Sequence, residues 1–303
     1  MGGPIGLSID QGGRSDHMTA RLPAGFLDPP RPTGLRTAFI GIGDDFNQIL
    51  VHWLAQRSEV TRVVWTDSMG WQRSMRGRYE FAARRRKRYG LRKVVDESLM
   101  YLWRHYVLLP KEAAAIRRNI LEPYYAVHGR VHWDGPQMFT KDPNAPDVLE
   151  FLGSGNLDAA FASCIHDFFT RELRDTASKG LFLWHEGITP EYKGLYSPFW
   201  AIHNLELDKI GYTMLRTGDK LDAGEIFVQG TVPEVDLRLP HVGYIGYQAV
   251  VASLPEVQQF LVDLEQGRAR PIPREGAESN FYTYPGLSDY LRFRKRLRTV
   301  AAG

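Results

Sequence analysis

Cysteine is almost absent from this 303-residue chain, and the one copy, Cys164, can neither close an internal disulfide nor build a zinc site alone. Long hydrophobic runs are missing as well, so no segment reads as a bilayer span. No charged stretch followed by an apolar one opens the sequence, so no secretory signal is expected. Together these absences point to a cytoplasmic protein in a reducing compartment, with no membrane partner. What is present is ordinary for a folded globule: 43% hydrophobic and 24% charged residues. That balance excludes a disordered, collagen-like or disulfide-stapled chain.

The net charge of +3 is unevenly spread. Ten Lys or Arg residues and one acid, Glu80, lie between Arg73 and Lys93, leaving the rest of the chain near −6. The centre is Arg84-Arg85-Arg86-Lys87-Arg88. Clustered cations attract polyanions, an anionic substrate among them, but a solvated helix face is the simpler reading of the run. No aromatic ladder or zinc pattern accompanies it, so nucleic acid is not the expected partner.

Residues 1–34 hold seven Gly and five Pro and read as a flexible leader. Thr37 to Ile42 is then an apolar strand, followed by helical spacing at Phe46, Ile49, Leu50, Trp53 and Leu54, and by a second strand from Val60 to Trp65. Strand, helix, strand in about thirty residues is a β-α-β unit opening a mostly parallel sheet. Gly41-Ile42-Gly43 lacks the third glycine of a dinucleotide fingerprint and reads as a tight turn. A basic helical insert is expected over 74–116, a strand within Tyr124 to Val131, and further strands at Leu157 to Ser163, Gly180 to Trp184 and Ile210 to Leu215. The predicted fold is α/β, a Rossmann-like, mostly parallel twisted sheet with flanking helices. Its predicted organisation is a catalytic domain over 35–230 and a C-terminal extension over 231–303. His128 and His132 stand four apart, but Gly129 and Pro136 argue against a helix there and no third ligand is in place. No metal is expected.

The candidate chemistry lies between Asp158 and Gly230. The strand ending at Trp184 runs into His185-Glu186-Gly187, and reactive groups of open α/β sheets gather at the carboxyl ends of strands. Asp222 sits between an apolar residue and two small ones, where a carboxylate is partly desolvated yet approachable. A carboxylate beside a histidine orients the ring and fixes its tautomer.

Four ordered pieces then resemble the 10-formyltetrahydrofolate-dependent formyltransferases: His185 through Gly194, Pro198 through Ile202, Gly211 through Thr213, and Leu221 through Ile226. The resemblance implies a Rossmann-like catalytic domain that moves a formyl group from a folate nitrogen to an amine, with 10-formyltetrahydrofolate as co-substrate. It assigns catalysis to His185 and Asp222 and a folate pocket to Ser163, Cys164, Ile165, His166 and Gly224. Tyr192 and Lys193 fit either an acceptor contact or a loop packed on the sheet. The chain departs from the pattern at two positions. Leu183 stands where the family has a catalytic asparagine, and Glu186 where proline usually follows the histidine. A lost oxyanion donor costs on the order of 100- to 1,000-fold in rate. His166, Asn204, Glu186 or a backbone amide near Gly187 are candidate substitutes. Two alternatives stand beside formyl transfer: a repurposed or degenerate relative with another acyl or one-carbon reaction, and a non-catalytic anion-binding protein. No small-barrel domain follows Gly230, which favours a small-molecule amine, an amino sugar or amino acid, over initiator tRNA. Homo-oligomerisation is left open.

Overall fold

The computed structural model describes residues 23–66, 75–163, 168–233, 235 and 243–302. Its centre is a seven-stranded sheet in the order β3-β2-β1-β4-β5-β7-β8, built from β1 (Arg36–Ile42), β2 (Glu59–Thr66), β3 (Gln137–Thr140), β4 (Ala159–Ser163), β5 (Leu181–His185), β7 (Gly211–Arg216) and β8 (Glu225–Thr231). The strands from β3 to β5 are parallel. β7 runs antiparallel to β5, and β8, joined to β7 by a hairpin, runs antiparallel to β7. This is the Rossmann-like, mostly parallel α/β sheet that the sequence predicts.

The β1-α1-β2 opening appears as expected, with α1 at Asp45–Ala55. Asp44 caps the helix by accepting the Asn47 N–H at 2.8 Å, so the Gly41-Ile42-Gly43 turn leads into an acid-capped helix. An anionic phosphate would meet a carboxylate there. The insert forms α2 (Met75–Tyr89), α3 (Leu91–Trp103) and α4 (Leu109–Ile116), with a π turn at Arg104–Leu108 between the last two.

The expected strand within Tyr124 to Val131 is instead helical, α5 at Glu122–His128. It continues the helix of α4 through a second π turn at Arg117–Leu121, just ahead of Pro123, and Gly129 at φ +73° stops it; the continuing helix overrides the strand preference of Tyr124, Tyr125 and Val127. Two short helices follow, α6 (Pro146–Gly153) and α7 (Arg171–Arg174), and then α8 (Ser197–Asn204). A two-stranded parallel ribbon pairs β6 (Lys193–Gly194) with β9 (Phe281–Tyr282).

The sheet divides the core into two layers. Phe39, Phe161, Phe182 and Trp184 point into the larger layer, against α1 and α9 (Tyr244–Glu265). Ile40, Ala160, Ala162 and Leu183 point into the smaller one with α6 and α7. Thus α9, in the predicted C-terminal extension, is part of the main core. The same is true of residues 23–34, expected as leader: Phe26 is buried against Tyr124, and the Gly34 N–H bonds Glu265. The chain ends in α10 (Leu287–Ala302), which packs on α3 and α8.

Candidate active site

Alternation along β5 sets the site. Leu181, Leu183 and His185 share one face of the strand, while Phe182 and Trp184 take the other. His185 is the last residue of the strand and is buried. Its Nε2 lies 2.8 Å from the Tyr192 carbonyl oxygen and 3.3 Å from Ser197 Oγ. The Ser197 hydroxyl itself donates to the same carbonyl at 3.0 Å. A carbonyl only accepts, so Nε2 carries the proton and donates. That leaves Nδ1 facing Asp222, whose Oδ1 is 4.0 Å away. The gap is too long for a hydrogen bond as it stands, and such contacts commonly tighten when a substrate is bound.

Asp222 is held from its own side. Its Oδ2 accepts the Gly194 N–H at 2.9 Å, and its backbone takes the left-handed conformation, φ +47°, that aspartate tolerates better than most residues. Gly224, assigned to the folate pocket by resemblance, has a plain hairpin role: a Cβ there would lie 1.6 Å from the Arg216 carbonyl oxygen.

The Gly211-x-Thr213 piece positions the loop after His185. Thr213 faces His185 across the β5–β7 pairing. Its hydroxyl donates to the Gly187 carbonyl at 2.6 Å, and its oxygen accepts the Thr189 N–H and the Gln229 amide. Gln229 also donates to the Thr189 carbonyl, and Arg274 donates to Gln229 and Glu191. Of the side chains Thr213, Gln229 and Arg274, only Thr213 carried a signal in the sequence, as part of the motif.

Glu186 leans toward the first turn of α9, where a Cβ on Gly246 would lie 2.4 Å from its Oε2. Burial pushes its carboxyl up to about 7, against the opposing pull of His185, Arg104 and a hydrogen bond from the Tyr196 backbone. Arg104, from the π turn of the insert, bonds buried Glu112 at 3.0 Å and lies over the Tyr196 ring. The insert therefore reaches the edge of the site, a contact the sequence did not announce.

The remaining candidates fall in different places. Leu183 is buried among Ala162, Leu215 and Ile226, an apolar setting with no donor of its own. Ser163 ends β4, fully buried and level with Trp184 of β5. Cys164, Ile165 and His166 lie outside the described residues. Asn204 donates its amide to the Tyr192 and Tyr282 hydroxyls, so both of its N–H groups are engaged. Tyr192 is buried, stacks on Tyr282 with ring centroids 5.0 Å apart, and gives its carbonyl to His185. Lys193 lies in β6 beside Phe281. Among the described residues no group of three or more metal-type ligands converges.

No family model matches the chain. It is similar to the methionyl-tRNA formyltransferase of Geobacillus thermodenitrificans, 24% identical over 196 residues, covering 63% of this chain and 58% of that protein. The corresponding protein of Coprothermobacter proteolyticus is 25% identical over 135 residues, 44% of this chain and 43% of that protein. The chain thus spans about half the length of the curated relatives it matches. Among solved structures, a sugar N-formyltransferase from Shewanella sp. is 13% identical, with 86% of each chain covered and a TM-score of 0.48. Phosphoribosylglycinamide formyltransferase from Anaplasma phagocytophilum is 12% identical, with 84% of this chain and 100% of that chain covered and a TM-score of 0.49. By sequence, then, the chain is formyltransferase-like.

Proposed function

We propose that this chain transfers a formyl group from 10-formyltetrahydrofolate to the amine of a small molecule, an amino sugar or an amino acid. One observation carries the reading: His185 and Asp222, the two residues assigned by resemblance, meet at the carboxyl end of β5 with the imidazole Nδ1 aimed at the carboxylate. The similarity to formyltransferases supplies the donor class.

In this mechanism a neutral amine attacks the formyl carbon and its carbonyl oxygen becomes an oxyanion. The attacking nitrogen becomes cationic and gives up one proton, and as the carbonyl re-forms the bond to the folate nitrogen breaks and that nitrogen leaves carrying a proton. His185 is anchored through Nε2 by Tyr192, so its working atom is Nδ1. With a proton on Nδ1 the ring donates to the developing oxyanion, and Asp222 stabilises that charged ring and accepts the amine proton. Leu183 offers no hydrogen bond where the family's asparagine polarises the formyl oxygen. The burden on His185 is correspondingly larger.

The test is release of tetrahydrofolate from 10-formyltetrahydrofolate in the presence of a panel of amino sugars and amino acids. Wild type turns over with one acceptor class, and His185→Ala or Asp222→Asn abolishes it. Wild-type rates in both variants would overturn the assignment. A hydrolysis-resistant donor analogue that fails to bind in calorimetry would instead point to another acyl donor.

A further inference from the structure

The helical insert carries a surface that the chemistry at His185 does not use. Along α3 and the π turn after it, Leu91, Val95, Leu99, Leu102 and Tyr106 recur every three or four residues, one face of a helix. All five are exposed, from 47% at Leu99 to 73% at Tyr106, and Trp103 beside them is 42% exposed. The inner side of α3 is already occupied. Met100 is buried there, Asp96 accepts from Ser288 of α10, and Lys93 pairs with Asp289. The outward stripe therefore amounts to on the order of 600 Å² of apolar side chain, at the top of the range for the largest patch on a typical monomer.

The described charges of this hairpin are sorted by sign. Arg84, Arg86, Lys87 and Arg88 of α2 and Arg92 of α3 are exposed. The two acids of α3 turn inward: Glu97 is buried in a bidentate pair with Arg85, and Asp96 is spent on α10. At the tip, Arg88 and Tyr89 meet Leu91 and Arg92 through Gly90, at φ +85°, so cations and apolar stripe are continuous along the chain.

We infer that the α2–α3 hairpin docks on an anionic lipid surface. Clustered Lys and Arg beside exposed Leu, Trp and Tyr is the composition of helices that lie in the headgroup layer, with cations on phosphates and apolar side chains at the acyl boundary. A second copy of this chain fits less well, since it would bring two positive faces together. No described helix is long and apolar enough to cross a membrane, so the contact is peripheral. The expectation of no membrane partner rested on the absence of a spanning run alone, and a peripheral contact needs none. The inference is independent of the formyl-transfer reading.

Flotation of the full chain with vesicles tests it. The chain rises with vesicles of phosphatidylcholine and phosphatidylglycerol in equal parts and stays behind with phosphatidylcholine alone. Neutralising Arg86 and Lys87 to Gln lowers partitioning about 25-fold, about fivefold per cation. Leu99→Glu with Leu102→Glu abolishes it. Both pairs of positions are exposed, so melting temperature and donor-analogue binding stay at wild-type values, which separates loss of docking from loss of fold. Absence of binding to the anionic vesicles, or binding untouched by either variant, overturns the inference. So does a wild-type dimer in sedimentation equilibrium that Leu102→Glu splits while anionic vesicles recruit neither protein.

Discussion

Glu186→Gln should make the protein more stable above neutral pH and leave it nearly unchanged in acid. The carboxyl ordinarily titrates near 4.5 and is pushed up to about 7 here, chiefly by burial against α9. The folded chain therefore holds this proton more tightly than the unfolded chain does. Protonation stabilises the fold, so stability is greatest below pH 4.5, falls as pH rises toward 7, and is level beyond. At about 1.4 kcal/mol per pH unit, the displacement corresponds to about 3 kcal/mol, an upper figure because the group is only partly enclosed. Glutamine keeps the shape without the charge. Urea unfolding of both proteins at pH 4.5, 6 and 8 measures the difference. The stability gap between variant and wild type should open from near zero to as much as about 3 kcal/mol, in favour of the variant. Two parallel pH profiles would refute the reasoning, since ionisation of Glu186 would then cost the fold nothing.

Two further outcomes follow from the same geometry. Thr213→Val removes the hydroxyl that ties Gly187 and Thr189. It should cost about 1–3 kcal/mol in denaturant unfolding and lower kcat more than KM, because the loop that aims His185 loosens. Rates equal to wild type would show that the loop is held without it. Leu183→Asn places an amide among Ala162, Leu215 and Ile226. It should lose about 2–4 kcal/mol of stability yet raise formyl-transfer turnover at a temperature where it stays folded; an unchanged or lower rate would mean that another group already serves as the oxyanion donor.

The sequence made the first β-α-β unit legible because its apolar spacing switches cleanly from strand to helix, and Asp44 supplies the cap. It misled at Tyr124 to Val131, where side chains that favour strands sit at the end of a helix that runs in from α4 and stops only at Gly129. His185 and Asp222 were readable from an ordered motif. Their support was not. The Tyr192 carbonyl that fixes the imidazole is a backbone atom, indifferent to residue type. The environment of Glu186 comes from Gly246 and Arg104, which are remote in sequence and adjacent only once α9 and the insert have packed.

The β6–β9 ribbon gives the order of events during synthesis a meaning. Gly194, whose N–H holds Asp222, belongs to the strand that pairs with Phe281–Tyr282, while the Leu195 N–H bonds the Tyr282 carbonyl and the Trp200 indole bonds that of Thr283. A Cβ on Gly194 would lie 2.1 Å from the Tyr282 carbonyl oxygen, so the two backbones need direct contact. A nascent chain that has emerged only as far as β8 already contains His185 and Asp222. It does not yet have the segment that fastens the loop between them. His185 and Asp222 are both synthesised by then, but the loop between them is not fastened until Tyr282 has left the exit tunnel.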